Sequence, residues 1–305
     1  MFSTKDIFTI VITAEFIIGM LGNGYIGLVN WIDWIKKRKI SSIDYVLASL
    51  AISRMCLIAI IVLHGILVTL YLDVYENQKI RIVVNSLWTF FNYLSMWFTT
   101  CLNVFYCLKI ANFSHPFFLW LRWKTDRMVH WVLLGCFTIS FAVGIIVFPT
   151  VTYGYKLHYL IKNTGNITEM SKIQYFEPIT LFNLFALVPF IFSLISFFLL
   201  IISLRRHINR MKMNSKSCRD PNTQAHVKAM IIITSFFFFF FIYCVFSLLV
   251  TFSYLITEQM LAIMVGEAVA ILYPSGHSVI LIFGNNKLRQ PSVRMLTCRK
   301  IACMM

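Results

Sequence analysis

Charge is scarce in this sequence. Of 305 residues only 13% are charged and 59% are hydrophobic, whereas a soluble domain carries about 25% charged residues to keep its surface wet. That excludes an ordinary soluble domain, because so much apolar side chain cannot be hidden in a single core and most of it must face lipid. Acidic residues are scarcer still, 12 against 27 Lys and Arg. The spacings that catalysis or metal binding requires are also missing. Seven His residues form no His-x-x-x-His pair, and there is no Cys-x-x-Cys, no carboxylate cluster and no Gly-rich phosphate loop. An enzyme is therefore not expected, and neither a cofactor nor a metal is called for. No tandem repeat and no inverted pair of interrupted helices of the transporter kind is present.

What the chain does have is long apolar runs. Seven stretches reach the roughly 20 residues a helix needs to cross a bilayer, at 7–31, 46–71, 83–108, 129–152, 180–204, 229–254 and 260–283. They are far longer than the strands of a membrane barrel, so the expected fold is an all-α bundle of seven transmembrane helices in a single domain, 1–305. No cleavage site precedes the first run and Asp6 lies in the short head, so the first helix is expected to act as its own insertion signal. Phe236 to Phe241 is a low-complexity run that reads as lipid-facing and core-filling.

Orientation follows from where the cations lie. The connections 32–45, 109–128 and 205–228 and the tail 284–305 hold 20 Lys/Arg and 4 acids, and the head and remaining connections hold 6 of each. Basic connections stay in the cytoplasm, which places the N-terminus outside and makes 205–228 a basic cytoplasmic loop and 284–305 a cytoplasmic tail. The net charge of +15 thus divides into +16 inside, zero outside and −1 among the spans. It suits an anionic membrane surface and an acidic or dipolar cytoplasmic partner, not nucleic acid. The sequon Asn166-Ile167-Thr168 falls outside and is a candidate glycosylation site, whereas Asn112-Phe113-Ser114 falls inside. None of the eight Cys residues (56, 101, 107, 136, 218, 244, 298 and 303) lies in an outer connection, so no disulfide staples the oxidising side. Cys298 and Cys303 in the tail are either palmitoylation sites or plain reduced thiols.

Polar residues inside a membrane are costly and seldom idle. The third span carries Trp88, Asn92, Ser95, Thr99, Asn103 and Tyr106 at spacings that put all six on one face of a helix. That face should look into the bundle. Its lower part reads equally as hydrogen-bonding glue between helices, while an indole beside an amide near the outer end, Trp88 and Asn92, makes a wall for a small-molecule pocket. The seventh span places Glu267, Pro274, Ser278 and Asn285 on one face, with His277 turned away from it. Glu267 is either neutral and hydrogen-bonded or an anion able to meet a cationic ligand. Arg54 stays charged and needs buried acceptors, for which Asn23, Ser278 and the backbone near Pro274 are candidates. Its role is read as structural. Glu15 is close enough to the outer end to snorkel.

Several stretches resemble one family closely. Leu50-Ala51-Ile52-Ser53-Arg54 in the second span, Phe105 to Pro116 (FYCLKIANFSHP) at the inner end of the third, and Ser203-Leu204-Arg205-Arg206-His207 ending the fifth are similar to motifs of the bitter taste receptors, the type 2 taste receptor family. So are Asp220 to His226 (DPNTQAH) before the sixth span and Pro274-Ser275-Gly276-His277-Ser278 with Asn286-Lys287-Leu288 at the seventh. The chain also lacks the Asp-Arg-Tyr and Asn-Pro-x-x-Tyr motifs of rhodopsin-like receptors. The resemblance implies a G-protein-coupled receptor for bitter small molecules that activates gustducin-type heterotrimeric G proteins from the plasma membrane. It further implies a ligand site in the outer half at Trp88, Asn92 and Glu267, with Tyr243 in the sixth span. It gives Tyr106, Lys109, His207 and His226 the G-protein side, where the plainer role for Lys109 and His226 is interface anchoring. Asn23, Arg54, His277 and Ser278 remain the core and switch. A pheromone-type seven-helix receptor is the nearest rival. A transporter or channel is the rival of a different class, and the apolar lower parts of spans one, four and six speak against it.

Overall fold

The computed structural model describes residues 4–37, 41–164, 169–213, 221–253, 259–285 and 287–290. The described residues contain no strand. The helices are α1 (Thr4–Lys37), α2 (Ser42–Leu70), α3 (Leu72–Glu76), α4 (Gln78–Ile110), α5 (Pro116–Thr164), α6 (Glu169–Met213), α7 (Pro221–Ser253) and α8 (Gln259–Gly284). Seven are long, and the short α3 lies in the connection between the second and third spans, where the sequence suggests only a loop.

Local chemistry sets several helix starts. Ser41 caps α2 by accepting from the Asp44 amide at 3.3 Å, and Asp44 accepts in return from the Ser41 amide at 3.4 Å, a reciprocal capping box. Asn77 caps α4 through the Lys79 amide at 3.0 Å. Pro116 opens α5 at the first helical position, where a missing N–H costs nothing. Several helices outrun the apolar runs that predicted them. α5 begins at Pro116 instead of 129, and α6 extends at both ends beyond 180–204. The α5 extension mixes Phe117, Phe118, Leu119, Trp120, Leu121 and Trp123 with Arg122, Lys124, Asp126 and Arg127, so it is not bounded by a simple apolar run.

Among the described residues, six helices, α1, α2, α5, α6, α7 and α8, are apolar enough by length and composition to cross a membrane, and α4 is not. The third span is the one on which the sequence already places a long polar face. That polarity fits its position. α4 packs against α2, α5, α6 and α7, so its Thr89, Asn92, Ser95, Thr99, Thr100 and Asn103 are all buried among neighbours and not turned to lipid. Among the described residues, α4 buries more polar side chains than any other helix.

The core has an inner cluster that includes Leu47, Leu50, Leu102, Phe105, Leu200, Ile233 and Leu281, and two clusters nearer the outer end. The Phe run of α7 divides by helical period. Phe236 and Phe240 are buried at 1% and 5% exposure, while Phe238 and Phe241 face outward at 60% and 67%. Gly276 brings α8 against α7, since a Cβ there would lie 2.5 Å from the Phe239 ring. Small residues that admit such close approach are how membrane helices gain packing when lipid removes the hydrophobic drive.

Candidate functional site

The middle of the bundle is organised by Arg54, which is fully buried. It lies on α2 slightly nearer the Ser42 end than the Leu70 end. Its Nη2 donates to Thr99 Oγ1 at 3.1 Å and to His277 Nδ1 at 2.7 Å, Nη1 reaches Ser278 Oγ at 3.4 Å, and Nε reaches Ser95 Oγ at 3.5 Å. The guanidinium also stands 5.7 Å from the Tyr273 ring centroid, within range of a cation–π contact. His277 Nε2 lies 3.3 Å from the Ile232 carbonyl. A ring with its proton on Nε2 donates to that carbonyl and accepts from Arg54, so one tautomer serves both contacts.

Two of the acceptors proposed from sequence are displaced by one step. Asn23 meets Arg54 only through Ser278, whose Oγ lies 2.7 Å from Asn23 Oδ1, and the Pro274 carbonyl also accepts from Ser278. His277, turned away from the predicted polar face, is instead the nearest partner. The long arginine side chain reaches past the face to which it was assigned. Glu15 is half-buried, with one of its carboxylate oxygens buried and without a hydrogen-bond partner among the described residues.

Nearer the outer end, Asn92 Nδ2 donates to the Tyr243 hydroxyl at 3.1 Å, tying α4 to α7. Both side chains are buried. Trp88 is half-buried and packs against two clusters at once, one containing Tyr243 and Tyr273 and the other containing Ile58 and Ile271. Tyr243 stands 6.1 Å from Tyr273, centroid to centroid, so an aromatic contact joins this group to the Arg54 network. Glu267 makes no hydrogen bond to Asn92 or Tyr243. Its Oε1 lies 2.7 Å from His64 Nδ1, and His64 Nε2 lies 3.0 Å from the Tyr75 hydroxyl on α3. The outer constellation is thus packed and partnered, with Trp88 between its two halves. An apolar groove of about 510 Å³ lies elsewhere, between α6 and α7, lined by Leu204, Val227, Ile231 and Phe238 among others.

At the inner end, Tyr106 is buried near Asn285 and Asp44, and Lys109 is exposed. His207 of α6 and His226 of α7 stack at 6.0 Å with their rings nearly parallel. His226 Nε2 is 3.2 Å from Ser203 Oγ, which also accepts from the Asn112 amide at 3.1 Å. Lys287 Nζ bridges Asp33 at 2.9 Å, Asp44 at 3.0 Å and Asn30 at 2.9 Å. Ser42 donates to Asp126, joining α2 to α5. Asn166, Cys298 and Cys303 lie outside the described residues.

His64, Tyr75 and Tyr273 were not singled out from sequence. For His64 a signal existed, since an intramembrane imidazole is as costly as any other polar group there. Tyr273 and Tyr75 gave none. A buried tyrosine is commonplace, and α3 was not anticipated.

The sequence profile described as "Taste receptor protein (TAS2R)" matches residues 1–300. Relatives called "Taste receptor type 2 member 8" from Papio hamadryas, Pongo pygmaeus and Homo sapiens are 61%, 62% and 61% identical to this chain over 308 aligned positions. Each alignment covers 100% of both chains. The chain therefore belongs to the type 2 taste receptor family, as a seven-helix membrane receptor of the G-protein-coupled type for bitter small molecules and not an enzyme.

Proposed function

We propose that this receptor takes bitter small molecules in its outer half, among Trp88, Asn92, Tyr243 and Glu267, and passes the signal to a gustducin-type heterotrimeric G protein through Tyr106, Lys109, His207 and His226. It sits in the plasma membrane with its N-terminus outside, its C-terminus inside, Asn166 available for glycosylation, and anionic lipid around its inner rim. The observation that carries this reading is the Asn92–Tyr243 hydrogen bond between α4 and α7, because it ends a continuous chain of contacts. Tyr243 meets Tyr273, Tyr273 meets Arg54, and Arg54 meets His277, which reaches the Ile232 carbonyl of α7. A ligand that replaces the Asn92–Tyr243 bond with its own contacts acts directly on the helix whose inner end carries His226. Such a ligand activates only if it binds the active arrangement more tightly than the inactive one.

The lipid part of the reading rests on the inner end of α5. There Lys124 lies 4.4 Å from the Trp120 ring centroid and Arg127 lies 5.3 Å from that of Trp123, with both indoles exposed. Aromatic and cationic side chains together suit a headgroup layer. The test is purified receptor reconstituted with a gustducin-type heterotrimer, screened against chemically varied bitter compounds. Compound-dependent nucleotide exchange is the expected result. Compound-dependent flux across the vesicle wall without exchange would make the chain a transporter or channel.

A further inference from the structure

We propose that His64 sets the charge class of ligand this receptor accepts, by occupying Glu267 as its resident hydrogen-bond donor. The inference rests on the reading that Glu267 belongs to the ligand site. A bare carboxylate at the outer end of α8 would be an anchor for cationic ligands. Here that carboxylate is already engaged. Its Oε1 takes a 2.7 Å contact from His64 Nδ1, and the far side of the same imidazole is held at 3.0 Å by the Tyr75 hydroxyl. The Tyr75 ring also meets the imidazole edge-on at 5.3 Å. A ring with its proton on Nδ1 donates to the carboxylate and accepts from Tyr75, so both nitrogens are satisfied and the ring is fixed in one orientation.

The second oxygen is no more open. A Cβ built on Gly65 would fall 2.6 Å from Glu267 Oε2, so the whole carboxylate lies against the α2 backbone, and glycine is what makes room for it. Glu267 itself is only 9% exposed. A cationic ligand therefore has to pull Glu267 off both His64 and the Gly65 surface, losing a charge-assisted hydrogen bond in the process. An uncharged ligand that packs on Trp88 and hydrogen-bonds Asn92 or Tyr243 has no such displacement to make. The site thus favours uncharged ligands over permanent cations of the same shape. Tyr75 makes this preference dependent on α3, the short helix of the first outer connection.

The probes are benzyltrimethylammonium, a permanent cation, and its uncharged isostere in which a tert-butyl group replaces the trimethylammonium. Binding of each is measured on the purified full-length receptor in lipid nanodiscs. His64→Phe keeps an aromatic ring and removes the donor. It is expected to raise affinity for the cation roughly tenfold or more, to leave the isostere unchanged, and to lose that gain in the His64→Phe/Glu267→Gln double variant. No gain, or an equal gain for both probes, overturns the proposal. If His64→Phe is not recovered folded, Tyr75→Phe releases the imidazole from its outer support and is expected to give a smaller gain for the cation alone; its absence overturns the proposal equally. Glu267→Gln by itself separates the two readings. If it lowers cation affinity while His64→Phe brings no gain, Glu267 keeps its place in the ligand site and the role of His64 falls. If it changes nothing in either background, both fall.

Discussion

Arg54 carries a full charge into a layer where the groups that meet it are all neutral. Thr99, Ser95, Ser278 and His277 supply lone pairs from two other helices, and Tyr273 supplies a ring face. Each hydrogen bond to a charged group contributes about 1.5–3 kcal/mol, so Arg54→Ala is expected to cost about 3 kcal/mol or more. It should lower surface expression or coupling for every agonist alike. Arg54→Lys should recover only part, because a compact ammonium cannot span acceptors that the planar guanidinium reaches together. Expression by flow cytometry with parallel dose–response curves checks this, and a loss confined to certain agonists at normal expression would make Arg54 a ligand contact. At Trp88 and Glu267 the structure sharpens the expectation. Trp88 touches both outer clusters, so Trp88→Ala should weaken nearly all agonists. Glu267→Gln should weaken basic ones selectively, but by less than the roughly 10-fold that loss of a charged hydrogen bond gives, because His64 already holds that carboxylate. Unchanged potencies for both variants at matched surface expression would move the pocket elsewhere. Asn92, Glu267 and Arg54 were legible in the sequence because a polar group within an apolar run stands out by its cost. His277 and Tyr273 were not legible as the near neighbours of Arg54, because a helical face says where a side chain starts and not how far an arginine reaches.

Among the elements, α4 is the one whose character depends most on its neighbours. By composition it falls short of a membrane span, and its periodic polar face was nevertheless readable as an interior face. The arrangement at its inner end was less readable, since it depends on a three-way meeting of helices. Ser203 of α6 accepts from the Asn112 amide just beyond α4 and contacts His226 of α7, beside the stacked His207–His226 pair. This clasp joins the inner ends of α6 and α7, and an activated state in which those ends part would have to break it. A hydrogen bond of this kind is worth about 1 kcal/mol net, or roughly a fivefold shift in a two-state equilibrium. Ser203→Ala is therefore expected to raise agonist-free nucleotide exchange several-fold. Unchanged basal exchange would mean that the clasp is equally formed in both states.

For the molecule as a whole, the seven-helix bundle was legible because bilayer thickness dictates the length of an apolar run. The helix ends and α3 were not, because beyond the hydrocarbon layer the chain is governed by capping and tertiary contacts instead. The same physics that spaces the helices also sorts the charges. The segments read as cytoplasmic hold 20 of the 27 Lys and Arg residues, and three of their acids, Asp33, Asp44 and Asp126, are taken up in contacts between helices. Lys287 is shared between Asp33 and Asp44, and Asp126 accepts from Ser42. Moving the excess cations across the bilayer during insertion would cost about 2.5–3.5 kcal/mol for each one at the bilayer centre. Orientation follows from that cost and is expected to be uniform. A tag at the N-terminus should be stained by antibody on intact cells and one at the C-terminus only after permeabilisation. Asn166→Gln should remove any N-linked glycan and increase gel mobility, whereas Asn112→Gln should leave mobility unchanged, because Asn112 lies in a connection read as cytoplasmic. Staining of the C-terminal tag on intact cells, or a mobility shift for Asn112→Gln, would reverse the orientation, and with it the assignment of His207, His226 and Lys109 to the G-protein side.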